Sequence, residues 1–171
     1  RLWRRDSAAL QAVIDAGSII LKDSAGSREV RIARAGVNIA EALRGAELVL
    51  IPSPATAQAD IARAIAPHLV DGQVVFLPPG SFGTFVMARI VRACGNRADL
   101  AWAETGTLPY LARKHGAREV RLTVRAIHLP TGVYPARHAE RAMSVIRQAY
   151  PSAHACGDAL SGALMNAGPI I

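Results

Sequence analysis

The stretch from Gly45 to Gly80 most constrains the fold, because it combines an apolar strand, an amphipathic helix and a second apolar strand. The first strand runs from Ala46 to Ile51 and stops at Pro52-Ser53-Pro54. The second strand runs from Gln73 to Leu77. Continuous apolar strands that alternate with helices are typical of a parallel sheet covered on both faces. The chain is therefore predicted to be an α/β protein with a doubly wound, mostly parallel sheet.

Proline-rich turns and one carboxylate follow the predicted strands at the edge where such a sheet binds its ligands. Ligands lie beyond the carboxyl ends of the strands, where loops and helix N-termini converge. That edge is expected to hold Pro52-Ser53-Pro54 and Pro79-Gly80-Ser81. A third predicted strand, Leu100–Ala103, ends at Glu104. A carboxylate there is suited to hold the ammonium or guanidinium group of a substrate, and a helix cap or a salt bridge to Arg113 is the structural alternative.

Composition narrows the class of partner. With 171 residues, of which 51% are hydrophobic, the chain is long enough for one globular domain with a substantial core. Its formal net charge of +7 favours an anionic partner, either a phosphorylated small molecule or a nucleic acid. The arginines are scattered, however, and only 5% of the residues are aromatic, so no nucleic-acid partner is predicted.

Several other classes of protein are not indicated. No apolar run approaches the ~20 residues of a membrane span, and no signal peptide is visible, so no membrane partner is expected. Cys94 and Cys156 lie far apart and do not form a disulfide scaffold, which favours a cytoplasmic location. The five histidines show no metal-ligand spacing, so no metal site is predicted.

The remaining elements are predicted from local patterns. A small hairpin or a paired edge segment is expected where Ile19–Leu21 and Val30–Ala33 flank residues 23–27. Asn38 is suited to cap a short helix that runs through Leu43. Further helices are expected over residues 83–94, 138–150 and 158–166, the first of them with the apolar set Phe85, Ala88, Ile90 and Val91.

A basic turn, Trp3-Arg4-Arg5-Asp6, follows the short strand at the start of the chain. In a dinucleotide-binding sheet the residue that ends the second strand meets the adenosine ribose. An acidic side chain there accepts from the 2′-hydroxyl, whereas arginine pairs with a 2′-phosphate. A solvated basic turn is the alternative for Arg4 and Arg5, and capping of the following helix is the preferred interpretation of Asp6.

Four segments of the chain, taken together, are distinctive: Arg1–Asp6, Asn38–Ala46, Ala103–Arg113 and Asp158–Ile171. The most specific is Ala103–Arg113, in which AET, LPY and a final arginine follow one another. Together these segments resemble the opine dehydrogenases, including the octopine and nopaline enzymes, and more distantly the glycerol-3-phosphate dehydrogenases. The resemblance spans nearly the whole chain.

This resemblance implies that residues 1–171 are part of an NAD(P)-binding domain of Rossmann type. The first strand and the glycine-rich loop of the family are expected before Arg1, since no complete G-x-G-x-x-G occurs in the chain. Residues 151–171 are expected to lead into a helical substrate domain, with the catalytic histidine just beyond Ile171. No catalytic residue is therefore assigned within the chain, and residues 1–171 alone are expected to be inactive.

The resemblance further implies an NAD(P)-dependent oxidoreductase acting on a CH–NH bond. Such an enzyme reductively condenses an amino acid with a 2-oxo acid, or catalyses the reverse reaction. Arg4 and Arg5 indicate NADP rather than NAD. The other implied cofactor residues pass under the nicotinamide half or lie near the reacting centre: Pro52, Ser53, Pro54, Pro79 and Gly80. The implied substrate residues are Glu104, Thr105 and Asn166.

Two alternatives remain open at this point. A glycerol-3-phosphate or ketopantoate-type reductase shares the sheet but uses a different helical domain. A non-catalytic nucleotide-binding module keeps the sheet without the chemistry.

Overall fold

The computed structural model describes residues 1–165, which form two compact units. Unit 1 comprises residues 1–44 and 110–125, and unit 2 comprises residues 45–109 and the chain from residue 126 onward. The strands are, in chain order, β1 Leu2–Trp3, β2 Ser18–Asp23, β3 Gly26–Arg31, β4 Ala35–Gly36, β5 Leu48–Leu50, β6 Val74–Leu77, β7 Ala101–Thr105, β8 Tyr110–Lys114, β9 Glu119–Arg125, β10 Leu129–Tyr134 and β11 Ala153–Ala155. The helices are α1 Gln11–Ala16, α2 Ile39–Leu43, α3 Ala55–Ile65, α4 Gly83–Ala93, α5 Ala139–Ala149 and α6 Ala159–Leu164, with short 3₁₀ turns at Ala66–His68 and Ala136–His138.

Unit 1 contains two small sheets. β1 and β4 pair in parallel, and a second sheet has the strand order β3-β2-β9-β8. The predicted hairpin is formed by β2 and β3, where Asp23 Oδ1 accepts from the Ala25 N–H at 3.0 Å. Asn38 caps α2 as predicted, since its side chain accepts from the Glu41 N–H at 3.3 Å.

Unit 2 is built on a five-stranded sheet of order β11-β10-β7-β6-β5. Strands β5, β6 and β7 are parallel, which confirms the predicted strand–helix–strand arrangement. β10 joins antiparallel to β7, and β11 pairs in parallel with β10. All four residues of β6 are buried, as expected for a strand covered on both faces.

The core of unit 2 lies between this sheet and α5. Phe76 and Leu129 are fully buried, and Met143 and Ile146 of α5 pack into the same cluster. The Tyr150 ring meets Phe76 edge-on, with the ring centroids 5.4 Å apart. Burial of this much contiguous apolar surface is the main favourable contribution to the stability of the unit.

The apolar set predicted for α4 is only partly correct. Val91 is buried, but Phe85 is 40% exposed and its ring contacts Tyr134 instead, at 5.1 Å between centroids. The buried side of α4 consists of Gly83, Thr84, Met87 and Val91. In the first turn of α4, Gly83 and Thr84 are therefore buried in place of the predicted Phe85.

Across residues 1–165, no helix combines the length and apolar character needed to cross a membrane.

Candidate functional site

The carboxyl edge of the parallel strands in unit 2 holds most of the predicted site residues. β5 leads into Pro52-Ser53-Pro54, and β6 leads into Pro78-Pro79-Gly80. Because β5 and β6 are parallel neighbours, both loops leave the sheet at the same edge. Pro52 and Pro54 are exposed, Ser53 and Pro79 are half-buried, and Gly80 is buried. The edge predicted from the sequence is thus formed.

The loop between β6 and α4 has an unusual backbone. Ser81 and Phe82 have φ angles of +53° and +65°, in the left-handed region that non-glycine residues rarely adopt. Each such residue costs on the order of 1–3 kcal/mol and persists only where its surroundings hold it. Both side chains are exposed, so the loop presents them outward from the edge of the sheet.

Three hydrogen bonds to the backbone of Gly80 hold this loop. Its N–H donates to the Thr105 carbonyl at 3.0 Å. Its carbonyl accepts from Gln58 Nε2 at 2.7 Å and from the Gly83 N–H at 2.9 Å. The loop is therefore anchored at one residue by β7, by α3 and by the first turn of α4.

Glu104 lies directly against this anchor. Its side chain is fully buried, and Oε1 accepts from the Thr84 hydroxyl at 2.5 Å. Oε2 has no hydrogen-bond partner within residues 1–165. A Cβ atom added to Gly80 would lie 1.9 Å from Glu104 Oε2 and 2.3 Å from Glu104 Cβ. Gly80 is thus required where the carboxylate and the loop backbone meet.

The strand prediction ended too early at this point. β7 continues through Thr105, which pairs with Thr131 of β10, so Glu104 sits within the strand instead of beyond it. The antiparallel strand β10 supplies this extra pairing, and its presence was not predicted. Thr105 is also buried, and its hydroxyl donates to the Thr107 carbonyl at 2.7 Å.

Burial raises the pKa of the Glu104 carboxyl above its ordinary value of 4.5. The Thr84 hydroxyl and the backbone N–H groups of residues 82–84 favour the charged form and oppose this effect. Glu104 forms no ion pair within residues 1–165. Its contacts in the structure are those of a group that holds the loop at the start of α4.

Gln58 and Thr84 belong to the same arrangement and were not singled out from the sequence. Gln58 is buried on α3, and a Cβ atom at Gly83 would lie 2.4 Å from its Oε1. Buried side chains occupy the space beside both Gly80 and Gly83, namely Glu104 beside the first and Gln58 with Leu77 beside the second. The sequence contains one indication of this role, because Gln58 is a polar residue among the apolar positions of an amphipathic helix.

Arg4 and Arg5 belong to unit 1 and are exposed. The Arg4 N–H donates to the Gly36 carbonyl at 3.2 Å, which extends the pairing of β1 with β4. Asp6 Oδ1 accepts from the N–H groups of Ala8 and Ala9, at 3.0 and 3.4 Å. The predicted cap is nevertheless wrong, because α1 begins only at Gln11 with Leu10 at its N-cap and no side-chain cap hydrogen bond, so Asp6 holds the turn that precedes the helix. Asn166 lies outside the described residues.

The chain is similar in sequence to a known dehydrogenase. No family model matches the chain. An opine dehydrogenase from Arthrobacter sp. (strain 1C) is 25% identical over 173 residues, which cover 99% of this chain and 47% of that protein. The chain therefore spans about half the length of this curated relative.

Solved structures share the fold. A structure of octopine dehydrogenase with NADH and L-arginine matches 94% of this chain and 42% of its own, with a TM-score of 0.73 and 19% identity. Yersinopine dehydrogenase with NADP⁺ bound matches 95% and 42%, with a TM-score of 0.66 and 13% identity. A PanE/ApbA family ketopantoate reductase from Ralstonia eutropha JMP134 matches 88% and 46%, with a TM-score of 0.63 and 19% identity.

The fold is that of the Rossmann-type nucleotide-binding domains of dehydrogenases and reductases. Within that class, the resemblance to opine dehydrogenases indicated by the sequence is confirmed over nearly the whole chain.

Proposed function

We propose that this chain is the nucleotide-binding part of an NAD(P)-dependent oxidoreductase of opine dehydrogenase type. The observation that carries the proposal is the similarity to an opine dehydrogenase across 99% of the chain. The anchored loop supports it, because strained, exposed backbone at the carboxyl edge of a parallel sheet is typical of ligand-binding loops.

The proposed ligand of this edge is a dinucleotide. We propose that Pro52, Ser53 and Pro54 lie under its nicotinamide half, with Pro79 and Gly80 near the reacting centre. Arg4 and Arg5 of unit 1 are proposed to meet the adenosine ribose, which favours NADP over NAD. The bound cofactor supplies the hydride, and the protein's contribution is to bind, orient and exclude water.

The proposed reaction joins an amino acid and a 2-oxo acid by reductive condensation, or runs in reverse. Glu104, Thr105 and Asn166 are the proposed substrate-side residues. For Glu104 the contacts with Thr84 and Gly80 add a second proposed role, since a carboxylate buried beneath the loop also sets the position of Ser81 and Phe82. A helical domain with the catalytic histidine completes the proposed enzyme.

The test is an assay of the protein expressed from its full reading frame. NADPH oxidation is followed with a panel of 2-oxo acids, each with and without a panel of amino acids. Turnover that requires both substrates supports the proposal. Turnover with a 2-oxo acid alone indicates a ketopantoate-type reductase, an enzyme with which the chain shares its fold. Cofactor binding without any turnover indicates a nucleotide-binding module.

Glu104→Gln separates the two roles of this residue in the full-length protein, since it keeps the shape and removes the charge. A substrate role predicts that the apparent affinity for the amino acid falls about tenfold or more, with the NADP affinity unchanged. If the melting temperature changes while the affinity for the amino acid holds, the carboxylate only holds the loop.

A further inference from the structure

Unit 1 contains a cavity of about 170 Å³ between β1, α1, β2 and the turn that joins β8 to β9. Its floor is apolar and includes Leu10, Val13, Ile19 and Val120. Trp3 forms part of its wall and is held in place, because its indole N–H donates to the Val37 carbonyl at 2.9 Å. The cavity is smaller than the ~300–1,000 Å³ of a site for a whole drug-sized ligand, so it has room for one aromatic ring system.

Three cationic residues also line this cavity: Arg4, Lys114 and Arg118. Arg118 is already engaged, since its guanidinium lies 2.8 Å from Glu29 Oε1 and donates to the Ser18 hydroxyl at 3.0 Å. Within residues 1–165, Arg4 and Lys114 form no ion pair. Two like charges are thus left without a carboxylate beside the same apolar cavity.

The acidic group that lines the cavity does not neutralise them. Glu119 is part of the lining, but its carboxylate pairs with Lys22 at 2.9 Å. Lys114 stands on β8 opposite Val120, so the β8–β9 pairing fixes its backbone, and the β1–β4 pairing fixes that of Arg4. Two cations on fixed backbones beside an apolar floor match a ligand with an aromatic ring and an anionic group.

We infer that this cavity receives the adenine ring of NADP and that Lys114 contacts the 2′-phosphate together with Arg4. The inference rests on the proposed function and adds to it a specificity-determining residue that lies 110 positions away from Arg4 in the chain. An anionic 2′-substituent meets two uncompensated cations, whereas the 2′-hydroxyl of NAD gains no charge-assisted contact there. Lys114 therefore contributes to the choice of NADP and not to dinucleotide binding in general.

The experiment measures dissociation constants for NADP and NAD by calorimetry on the full-length protein. Lys114→Gln is compared with Arg113→Gln, which removes the neighbouring cation of β8, also in unit 1 but outside the lining of the cavity. We expect Lys114→Gln to weaken NADP binding about tenfold and to leave NAD binding within about twofold. Arg113→Gln should leave both constants within about twofold, and Lys114→Arg should restore most of the NADP affinity.

Competition identifies which part of the ligand is recognised. Adenosine 2′,5′-bisphosphate is expected to displace NADP far better than adenosine 5′-monophosphate or inorganic phosphate. Equal competition by inorganic phosphate overturns the adenosine assignment. An unchanged NADP constant in Lys114→Gln, or an equal loss for NADP and NAD, overturns the role of Lys114. If the unaltered protein binds neither dinucleotide, the proposed function itself fails, and the two failures are thus distinguishable.

Discussion

Units 1 and 2 differ sharply in charge. Unit 1 contains thirteen Lys and Arg residues against six Asp and Glu, whereas unit 2 contains seven of each. The whole formal charge of +7 therefore belongs to unit 1, and the arginines that look scattered along the sequence are concentrated by the fold. An anionic partner is more strongly attracted to unit 1 than the average composition indicates.

The two units also differ in how they are held together. In unit 1 the buried apolar side chains are Leu10, Val13 and Leu43, and β3 has no buried residue. Unit 2 has an apolar core and, beside it, buried polar residues that include Gln58, Thr84 and Glu104. Removal of a buried contact lowers the free energy of unfolding much more than removal of an exposed contact. Equivalent substitutions should therefore destabilise unit 2 more than unit 1.

The largest difference is expected at two glycines. Gly80→Ala in unit 2 places a Cβ 2.3 Å from the Cβ of Glu104, which cannot turn away because it is fixed to the β7 backbone. Overpacking of this kind costs about 3 kcal/mol in free energy of unfolding. Gly116→Ala in unit 1 is the matched control, since its nearest neighbour would be Glu119 Cβ at 3.7 Å. Denaturant unfolding of both variants checks the comparison, and equal stabilities would contradict it.

A smaller difference is expected at two threonines. Thr84→Val removes the hydroxyl that donates to the buried Glu104 carboxylate and leaves that oxygen unsatisfied, which costs about 1–3 kcal/mol. Thr123→Val in unit 1 removes an exposed hydroxyl that donates to the Leu111 carbonyl at 3.1 Å, and should cost less than about 0.5 kcal/mol. Thr84→Ser is expected to recover most of the loss. If Thr84→Val unfolds at the same denaturant concentration as the unaltered protein, Thr84 does not hold the carboxylate.

The pH dependence of stability should have opposite signs in the two units. Burial raises the pKa of Glu104, so its ionisation destabilises unit 2 as the pH rises from about 4.5 through the raised value. The hydrogen bond from Arg28 lowers the pKa of Asp23, despite the opposing effect of burial, and Arg125 also donates to this carboxylate. The contribution of Asp23 is therefore present above its ordinary pKa of 3.8 and is lost as the pH falls below it.

Melting curves of Glu104→Gln and Asp23→Asn over a range of pH check these signs. Relative to the unaltered protein, Glu104→Gln should gain in stability as the pH rises, and Asp23→Asn should lose the least at the acid end. A constant offset at every pH for either variant would show that its carboxyl keeps its ordinary pKa.

The sequence predicted the fold better than it predicted the site. Continuous apolar strands and turn residues are local signals, so the parallel strands β5 and β6 and the β2–β3 hairpin followed from them. The hydrogen bond between Thr84 and Glu104 could not be predicted from local signals, because the two residues are 20 positions apart and are brought together by tertiary packing. Likewise, no local pattern brings Lys114 to the cavity that Arg4 lines. Contacts between residues that are distant in the sequence depend on the order of the strands in a sheet, and short-range periodicity carries no information about that order.

The smallest effect is expected from an exposed ion pair of unit 1. Glu29 holds the Arg118 guanidinium at 2.8 Å, and both side chains are partly or largely exposed, so Glu29→Gln should change the melting temperature little. It should nevertheless release Arg118, which lines the same cavity as Arg4 and Lys114. A third available cation is expected to tighten NADP binding about two- to threefold, with the gain lost at high salt because the site is open to solvent. Titrations of NADP at low and high ionic strength, with NAD as the control, measure this effect. Weaker NADP binding in this variant would mean that the Glu29–Arg118 pair is needed to keep the shape of the cavity. In that case the structural contribution of this ion pair to NADP binding would exceed the electrostatic effect of a free Arg118.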